Sequence, residues 1–421
     1  MAVKLGVIAD DFTGATDIAG FMVEQGWHVV QLIGVPTADT LPGEVDAVVI
    51  SLKSRSCAVE EATAQSVAAC RWLKTRAGAE QIFFKYCSTF DSTPSGNIGP
   101  VIDALLAELD TNFTVVCPAL PPNGRTVVHG HLFVNGKLLN RCGMENHPVT
   151  PMWDADIQQL LAPQSRARSG LVALDVIQQG PEAIALRLQQ LRRDGVRYAV
   201  LDALTMPDLQ QIAAAVGDLP LLTGGSGLGA TLAARVGVSR QQSQAAILPA
   251  ADSRAVVLAG SCSVMTNRQV AAYRARAASF ELDVARCLDD AAYVKQLVQW
   301  VLNQPQTGWA PMLYATQPPE KLQQIQQQHG AAKTAQAIEQ VFSAVAAQLY
   351  QAGFSTFIVA GGETSGSVVQ GLGVTGFHIG LPIVPGVPWV RDLQRPIHMA
   401  LKSGNFGDEH FFERAQEIYR D

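Results

Sequence analysis

The chain is poor in charge and in aromatic residues, and it has no long hydrophobic run. Charged residues fill only 16% of its 421 positions and aromatics 7%. The 31 basic residues are outnumbered by 37 acidic ones, for a net charge of −6. No basic face for nonspecific nucleic-acid or anionic-membrane binding is therefore expected. No apolar stretch approaches the ~18 residues of a membrane span, and the N-terminus lacks the basic-then-apolar form of a secretory leader. Cys57, Cys70, Cys87, Cys117, Cys142, Cys262 and Cys287 are scattered and form no C-x-x-C pair. That argues against a zinc site or a disulfide framework, and for reduced thiols in a cytoplasm. A G-x-x-x-x-G-K-[ST] pattern is missing too, which excludes P-loop chemistry.

What is present is a strand-helix rhythm. Short β-branched runs at 5–9, 46–52, 82–86, 113–117, 171–174 and 198–202 alternate with amphipathic stretches at 58–76, 98–109, 181–193 and 207–216. Strands apolar on both faces predict an α/β fold with a largely parallel sheet. One insert departs from it: 126–139 reads as a β-hairpin turning at Asn135-Gly136, with His129 and His131 on one side of a strand. Residues 237–254 lose periodicity and read as a linker. The rhythm restarts at 255–259 and continues through 311–315, 356–360 and 397–401, with a long helix at 331–352. The expected architecture is two α/β domains, 1–236 and 255–421, with a cleft between them.

The first strand ends in Asp10-Asp11, then Thr13-Gly14 and a helix. Adjacent carboxylates repel, so folding alone gives little reason for the pair. One can cap the helix while the other accepts a proton from a substrate hydroxyl or helps to hold a metal ion. The next strands also end in polar residues: Lys53 to Ser56, with Arg55, and then Lys85 through Ser88, Asp91, Ser92 and Asn97. A fourth strand end supplies Asn123, Gly124 and Arg125, and Arg125 has the fork geometry to hold a carboxylate. In the second half, Gly260-Ser261-Cys262-Ser263, Gly361-Gly362-Glu363-Thr364 and Lys402-Ser403-Gly404-Asn405-Phe406-Gly407 each follow a strand. Three such turns in one domain predict a nucleotide-phosphate site. Gly224-Gly225-Ser226-Gly227-Leu228-Gly229 only loosely resembles a dinucleotide fingerprint and reads as a domain-border turn.

Taken together, "IADDFTGATD", "SLKSRS", "KYCSTFDSTPSGNIGP", "PALPPNGRT", "TGGSGLG", "GSCSVMT", "AGGETSG", "PGVPW" and "LKSGNFG" resemble the four-carbon acid sugar kinase family over nearly the whole chain. The longer stretches are most similar to members acting on 3-oxo-tetronates; D-threonate and D-erythronate kinases are the nearer alternatives. The resemblance implies a sugar-acid-binding N-terminal domain, an ATP-binding C-terminal domain, Mg2+ with the nucleotide, and transfer to the terminal C4 hydroxyl. With that chemistry in view, the strand ends make Asp10 and Asp11 the candidates for catalysis. Arg55, Lys85, Ser88, Asp91, Ser92, Asn97, Asn123, Gly124 and Arg125 fall to the acid sugar. Ser261, Gly361, Gly362, Glu363, Thr364, Gly404, Asn405 and Gly407 fall to ATP. Expected partners are these small molecules alone, without nucleic acid or membrane; a homo-oligomer is compatible with the sequence. A non-catalytic sugar-acid-binding protein and a nicotinamide dehydrogenase using "GGSGLG" are the rival classes.

Overall fold

The computed structural model describes residues 3–37, 43–147, 150–165, 167–237, 247–305, 307–317 and 330–420. They fall into two compact units, Met1–Gln242 and Ser243–Asp421. Half of the expected linker, 238–246, lies outside the described residues. After it, Ile247 is buried and its carbonyl faces His398 Nδ1 at 2.8 Å, so the chain is already packed into the second unit there.

In the first unit the strands are β1 (Leu5–Ala9), β2 (Val29–Ile33), β3 (Ala47–Ser51), β4 (Gln81–Lys85), β5 (Thr114–Cys117), β6 (Arg125–Val128), β7 (His131–Val134), β8 (Lys137–Leu138), β9 (Arg168–Val172), β10 (Val196–Leu201) and β11 (Leu221–Gly224). The main sheet runs β2-β3-β1-β4-β11-β5-β10-β9 and is parallel throughout. β1, β3 and β5 are wholly buried, which is why they read as unbroken apolar runs. The helix Phe12–Glu24 carries the chain from β1 toward β2 on one side; the helix Ile98–Glu108 carries it from β4 toward β5 on the other. Connections leave β1 and β4, which are neighbours, in opposite directions. A crevice opens at the carboxyl end of such a pair, and open α/β sheets bind ligands there.

The expected hairpin at 126–139 is instead a three-stranded antiparallel sheet, β6-β7-β8. Its extra turn sits at His129-Gly130, with φ +48° and +75°, ahead of the predicted one at Asn135-Gly136. His129 therefore occupies a turn and not a strand face. The "GGSGLG" stretch is likewise more than a border turn: it leaves β11 and opens the helix Ser226–Val236.

The second unit repeats the logic. Its strands are β12 (Ala255–Ala259), β13 (Ser279–Glu281), β14 (Met312–Tyr314), β15 (Thr356–Ala360), β16 (Gly376–Val384), β17 (Val387–Asp392) and β18 (His398–Lys402). β13-β14-β12-β15-β18 are parallel, and β17 and β16 add an antiparallel hairpin. The chain leaves β12 toward β13 and enters β15 from β14, so β12 and β15 flank the point where the winding reverses. Among the described residues, no helix is long and apolar enough to cross a membrane.

Candidate active site

At the end of β1, Asp10 is 5% exposed and is held by Arg55 from the loop after β3. Arg55 Nε donates to Asp10 Oδ2 at 3.0 Å and Nη2 to Asp10 Oδ1 at 2.8 Å; Nη2 also donates to Asp11 Oδ1 at 2.7 Å. Asp91 Oδ2 is 3.7 Å from Nη1. One guanidinium thus balances the doubled aspartate that looked so awkward in the sequence.

The two carboxylates are not equivalent. Burial pushes Asp10 up, only partly offset by Arg55. Burial acts on Asp11 as well, but Arg55, Lys85, the Thr13 hydroxyl and the Gly14 N–H together outweigh it and hold Asp11 below the usual carboxylate range. Asp11 is the helix N-cap: Gly14 N–H donates to Oδ1 at 3.1 Å and Thr13 Oγ1 to Oδ2 at 2.8 Å. Its side chain is 24% exposed against 7% for Asp10, so of these two Asp11 is the more open to a ligand.

Around this pair, Lys85 is buried at the end of β4 and donates to the Tyr86 carbonyl at 2.8 Å. Asn97 Nδ2 donates to the carbonyls of Ser54, Arg55 and Cys57 at 2.6, 3.4 and 3.0 Å, which fixes the loop that carries Arg55. Asp91 is oriented by the Thr89 hydroxyl at 2.7 Å. Ser88 is half-buried. Ser92 Oγ and Arg125 Nε are buried with no hydrogen-bond partner among the described residues. Arg125 Nη1 donates to the Asn123 carbonyl, and Gly124 (φ +72°) closes the short turn between them. One residue the motif reading passed over belongs here. Asp17, on the Asp11-capped helix, is buried, is linked to Ser226, and feels Lys85, Asp11 and Arg125. An acid in the middle of a mostly apolar helix was the available signal.

In the second unit a cavity of about 320 Å³ opens at the carboxyl ends of β12, β14 and β15. Gly260, Ser261 and Cys262 line one side, Gly361 to Thr364 another, and Val284, Ala315, Ala335 and Ile338 form an apolar wall. The helices Val264–Arg274 and Gly362–Gly371 begin at these turns. Helix starts with free N–H groups suit anions. Gly361 has φ +129°, and a Cβ there would stand 2.9 Å from Thr364 Oγ1 and 3.1 Å from Ser261 N. Only glycine lets the two turns approach so closely. Gly404 packs on the other side of Ser261: a Cβ there would lie 2.4 Å from Ser261 Oγ. Asn405 and Gly407 continue that loop without lining the cavity, and Glu363 at its rim is exposed.

Lys402 ends β18 beneath the third turn and is 0% exposed. Its Nζ donates to Thr266 Oγ1 at 3.2 Å and to the carbonyls of Ser403 and Gly404 at 3.0 and 2.9 Å. Burial lowers this amine to about 7, and no carboxylate offsets it. The folded chain therefore binds fewer protons than the unfolded chain between about pH 7 and the ordinary lysine range, and stability rises with pH across that window. Below it, the full cost of the buried cation is present. Lys402→Met should accordingly raise Tm at pH 6, with the gain shrinking by pH 9, while KM for the nucleotide increases. Melting curves of both proteins at the two pH values check this; a gain that grows with pH would contradict it.

The comparisons agree with this division. Residues 5–232 match the family model of a sugar-binding N-terminal domain, and residues 256–412 that of a nucleotide-binding C-terminal domain. The chain is 52% identical to a 3-oxo-tetronate kinase of Brucella melitensis biotype 1, over 99% of this chain and 95% of that one. It is 54% identical to the 3-oxo-tetronate kinase of Salmonella typhimurium LT2, over 99% of each chain. Among solved structures, a Salmonella typhimurium LT2 protein provisionally labelled a tRNA synthase superposes with a TM-score of 0.93 at 53% identity, covering 99% of both chains. Haemophilus influenzae protein HI1011 superposes with 0.85 at 52% identity, covering 98% of this chain and 100% of that one. Across its whole length, then, this chain belongs to the four-carbon acid sugar kinase family.

Proposed function

We propose that the chain is an ATP-dependent kinase that phosphorylates the C4 hydroxyl of 3-oxo-tetronate, giving 3-oxo-tetronate 4-phosphate. The observation that carries the reading is the pairing of two chemistries in one polypeptide. One unit holds a buried acid-and-cation cluster at its winding reversal; the other holds glycine turns and helix starts at its own. The relatives' names supply the substrate.

Phosphoryl transfer asks for alignment, charge neutralisation and a group to orient the acceptor hydroxyl. Asp11, the more open carboxylate, takes the C4 hydroxyl as donor and receives its proton as the bond to phosphorus forms. Asp10 stays locked on Arg55 and keeps that cation in place. Three of the five guanidinium N–H groups of Arg55 go to Asp10 and Asp11, so the substrate carboxylate falls to Lys85 and Arg125, with Ser92 as a further donor. The turns at Ser261 and Gly361–Thr364 receive the phosphates, and Val284, Ala335 and Ile338 face the nucleoside. Mg2+ arrives as part of the MgATP substrate and neutralises phosphate charge; among the described residues no cluster of three or more potential ligands would hold it independently. Such a reaction belongs in the ATP-rich cytoplasm.

A nucleic-acid substrate is disfavoured by the net charge of −6. The test is a coupled ADP-release assay with 3-oxo-tetronate, D-threonate and D-erythronate. The account expects kcat/KM to be highest for the 3-oxo acid. Preference for a 3-hydroxy acid would reassign the substrate within the family, and ADP release independent of any acid would remove the kinase reading.

A further inference from the structure

The least explained polar group in the first unit is the carboxyl of Asp17. It is 8% exposed, on the helix Phe12–Glu24, facing the start of the helix Ser226–Val236. Ser226 Oγ donates to Oδ2, whereas Oδ1 is buried with no hydrogen-bond partner among the described residues. A buried carboxyl oxygen without a donor is costly, and native proteins rarely keep one without a use. Burial pushes this carboxyl up, opposed by Lys85 and the Ser226 hydroxyl; Asp11 raises it further and Arg125 lowers it. Ser226 follows β11, whose Gly224 pairs with Lys85 at the end of β4, so the bond to Ser226 places Asp17 at the same strand ends as the candidate site.

We propose that Asp17, oriented by Ser226, is a substrate-contacting residue whose Oδ1 accepts a hydrogen bond from the C2 hydroxyl of the acid sugar and so sets which four-carbon acids are used. The assignment rests on the kinase reading above and follows from the functional groups of the substrate. The C1 carboxylate has no proton to give and repels another carboxylate. The C3 carbonyl is an acceptor only. The C4 hydroxyl belongs to Asp11. Only the C2 hydroxyl remains as a donor, and a charge-assisted bond in a buried site is strong enough to discriminate. Ser226 holds Oδ2, which fixes the carboxyl plane and leaves Oδ1 for the ligand. The glycine-rich turn before the helix Ser226–Val236 thereby gains a role: it brings Ser226 to Asp17.

The test compares kcat/KM for 3-oxo-tetronate with that for its 2-deoxy analogue, 4-hydroxy-3-oxobutanoate, in wild type, Asp17→Asn and Ser226→Ala. Wild type should prefer the full substrate by about ten- to a hundredfold, the range of a charged hydrogen bond. Asp17→Asn should collapse that preference to within about threefold on the same basis, with KM for ATP unchanged. Ser226→Ala, which leaves the carboxylate but frees its plane, should give an intermediate ratio, and it serves alone if Asp17→Asn does not fold. An undiminished preference in both variants would overturn the proposal, as would equal losses on both acids together with a changed KM for ATP. Failure of the kinase reading would look different: wild type would turn over neither acid.

Discussion

Asp11→Asn is expected to lower kcat by about 10²–10⁴-fold, the usual worth of a positioned proton acceptor. KM for ATP and the melting temperature should stay close to wild type. The variant is a clean probe because asparagine caps helices about as well as aspartate, so the bond from Gly14 N–H survives. Arg55 also keeps its paired contact with Asp10, and the cluster loses one charge without losing its frame. What disappears is the accessible carboxylate. Asp10→Asn is the control. It leaves Arg55 without its buried partner, so its main effect should be on stability, with turnover falling as Arg55 loses its place. If Asp11→Asn stays folded and keeps most of its turnover while Asp10→Asn loses it at unchanged stability, the two roles are reversed.

The largest effect on stability is expected from Arg55→Met. Removing one member of a buried ion pair costs about 3–5 kcal/mol, because the remaining charge is left uncompensated. Here Asp10 and Asp11 would be stranded together, beside Asp91. The pH dependence gives the sign. In wild type, Asp11 sits below its unfolded value, so its contribution is present above the ordinary carboxylate range and is lost as pH falls through the folded value. In the variant, burial and mutual repulsion place Asp10 further above its unfolded value, so the folded state takes up protons first and is stabilised as pH falls. The second trend narrows the gap between the two proteins on going from pH 7 to pH 4.5, and the first adds to it only below the ordinary carboxylate range. Urea denaturation at the two pH values measures it. A gap that widens in acid would mean that Arg55 is not balancing these carboxylates.

Much of this site was legible before any fold was known, and the reasons are physical. β1 reads as a strand because it is buried on both faces, and Asp10-Asp11 is conspicuous because nothing in folding calls for two charges at its end. The turns after β12, β15 and β18 are legible because close backbone approach requires glycine. Other features left weaker traces. β2 carries a buried Gln31, paired with Thr16 Oγ1 at 2.9 Å, which breaks an apolar pattern that a tertiary contact restores. β11 is four residues long, and Thr223 owes its burial there to a bond to the Val115 carbonyl. β16 is interrupted by Gly380 and Pro382, where its register with β17 shifts. The turn at His129 was missed because a bulky residue seldom takes a positive φ. Asp17 and Lys402 share one difficulty: each is a single charged residue whose meaning depends on what surrounds it in space. The isolated acid of a helix and the terminal lysine of an apolar strand gain significance only once their neighbours are known.

The position of the new phosphate tests the account most directly. Incubation with MgATP and 3-oxo-tetronate, followed by phosphorus–proton correlation NMR, reads which carbon carries the phosphoryl group. The account predicts a phosphomonoester coupled to the two C4 protons, formed in step with ADP and at least about a hundredfold more slowly by Asp11→Asn. A phosphoryl group coupled to the single C2 proton, or ADP formed with inorganic phosphate and no phosphorylated acid, would contradict it.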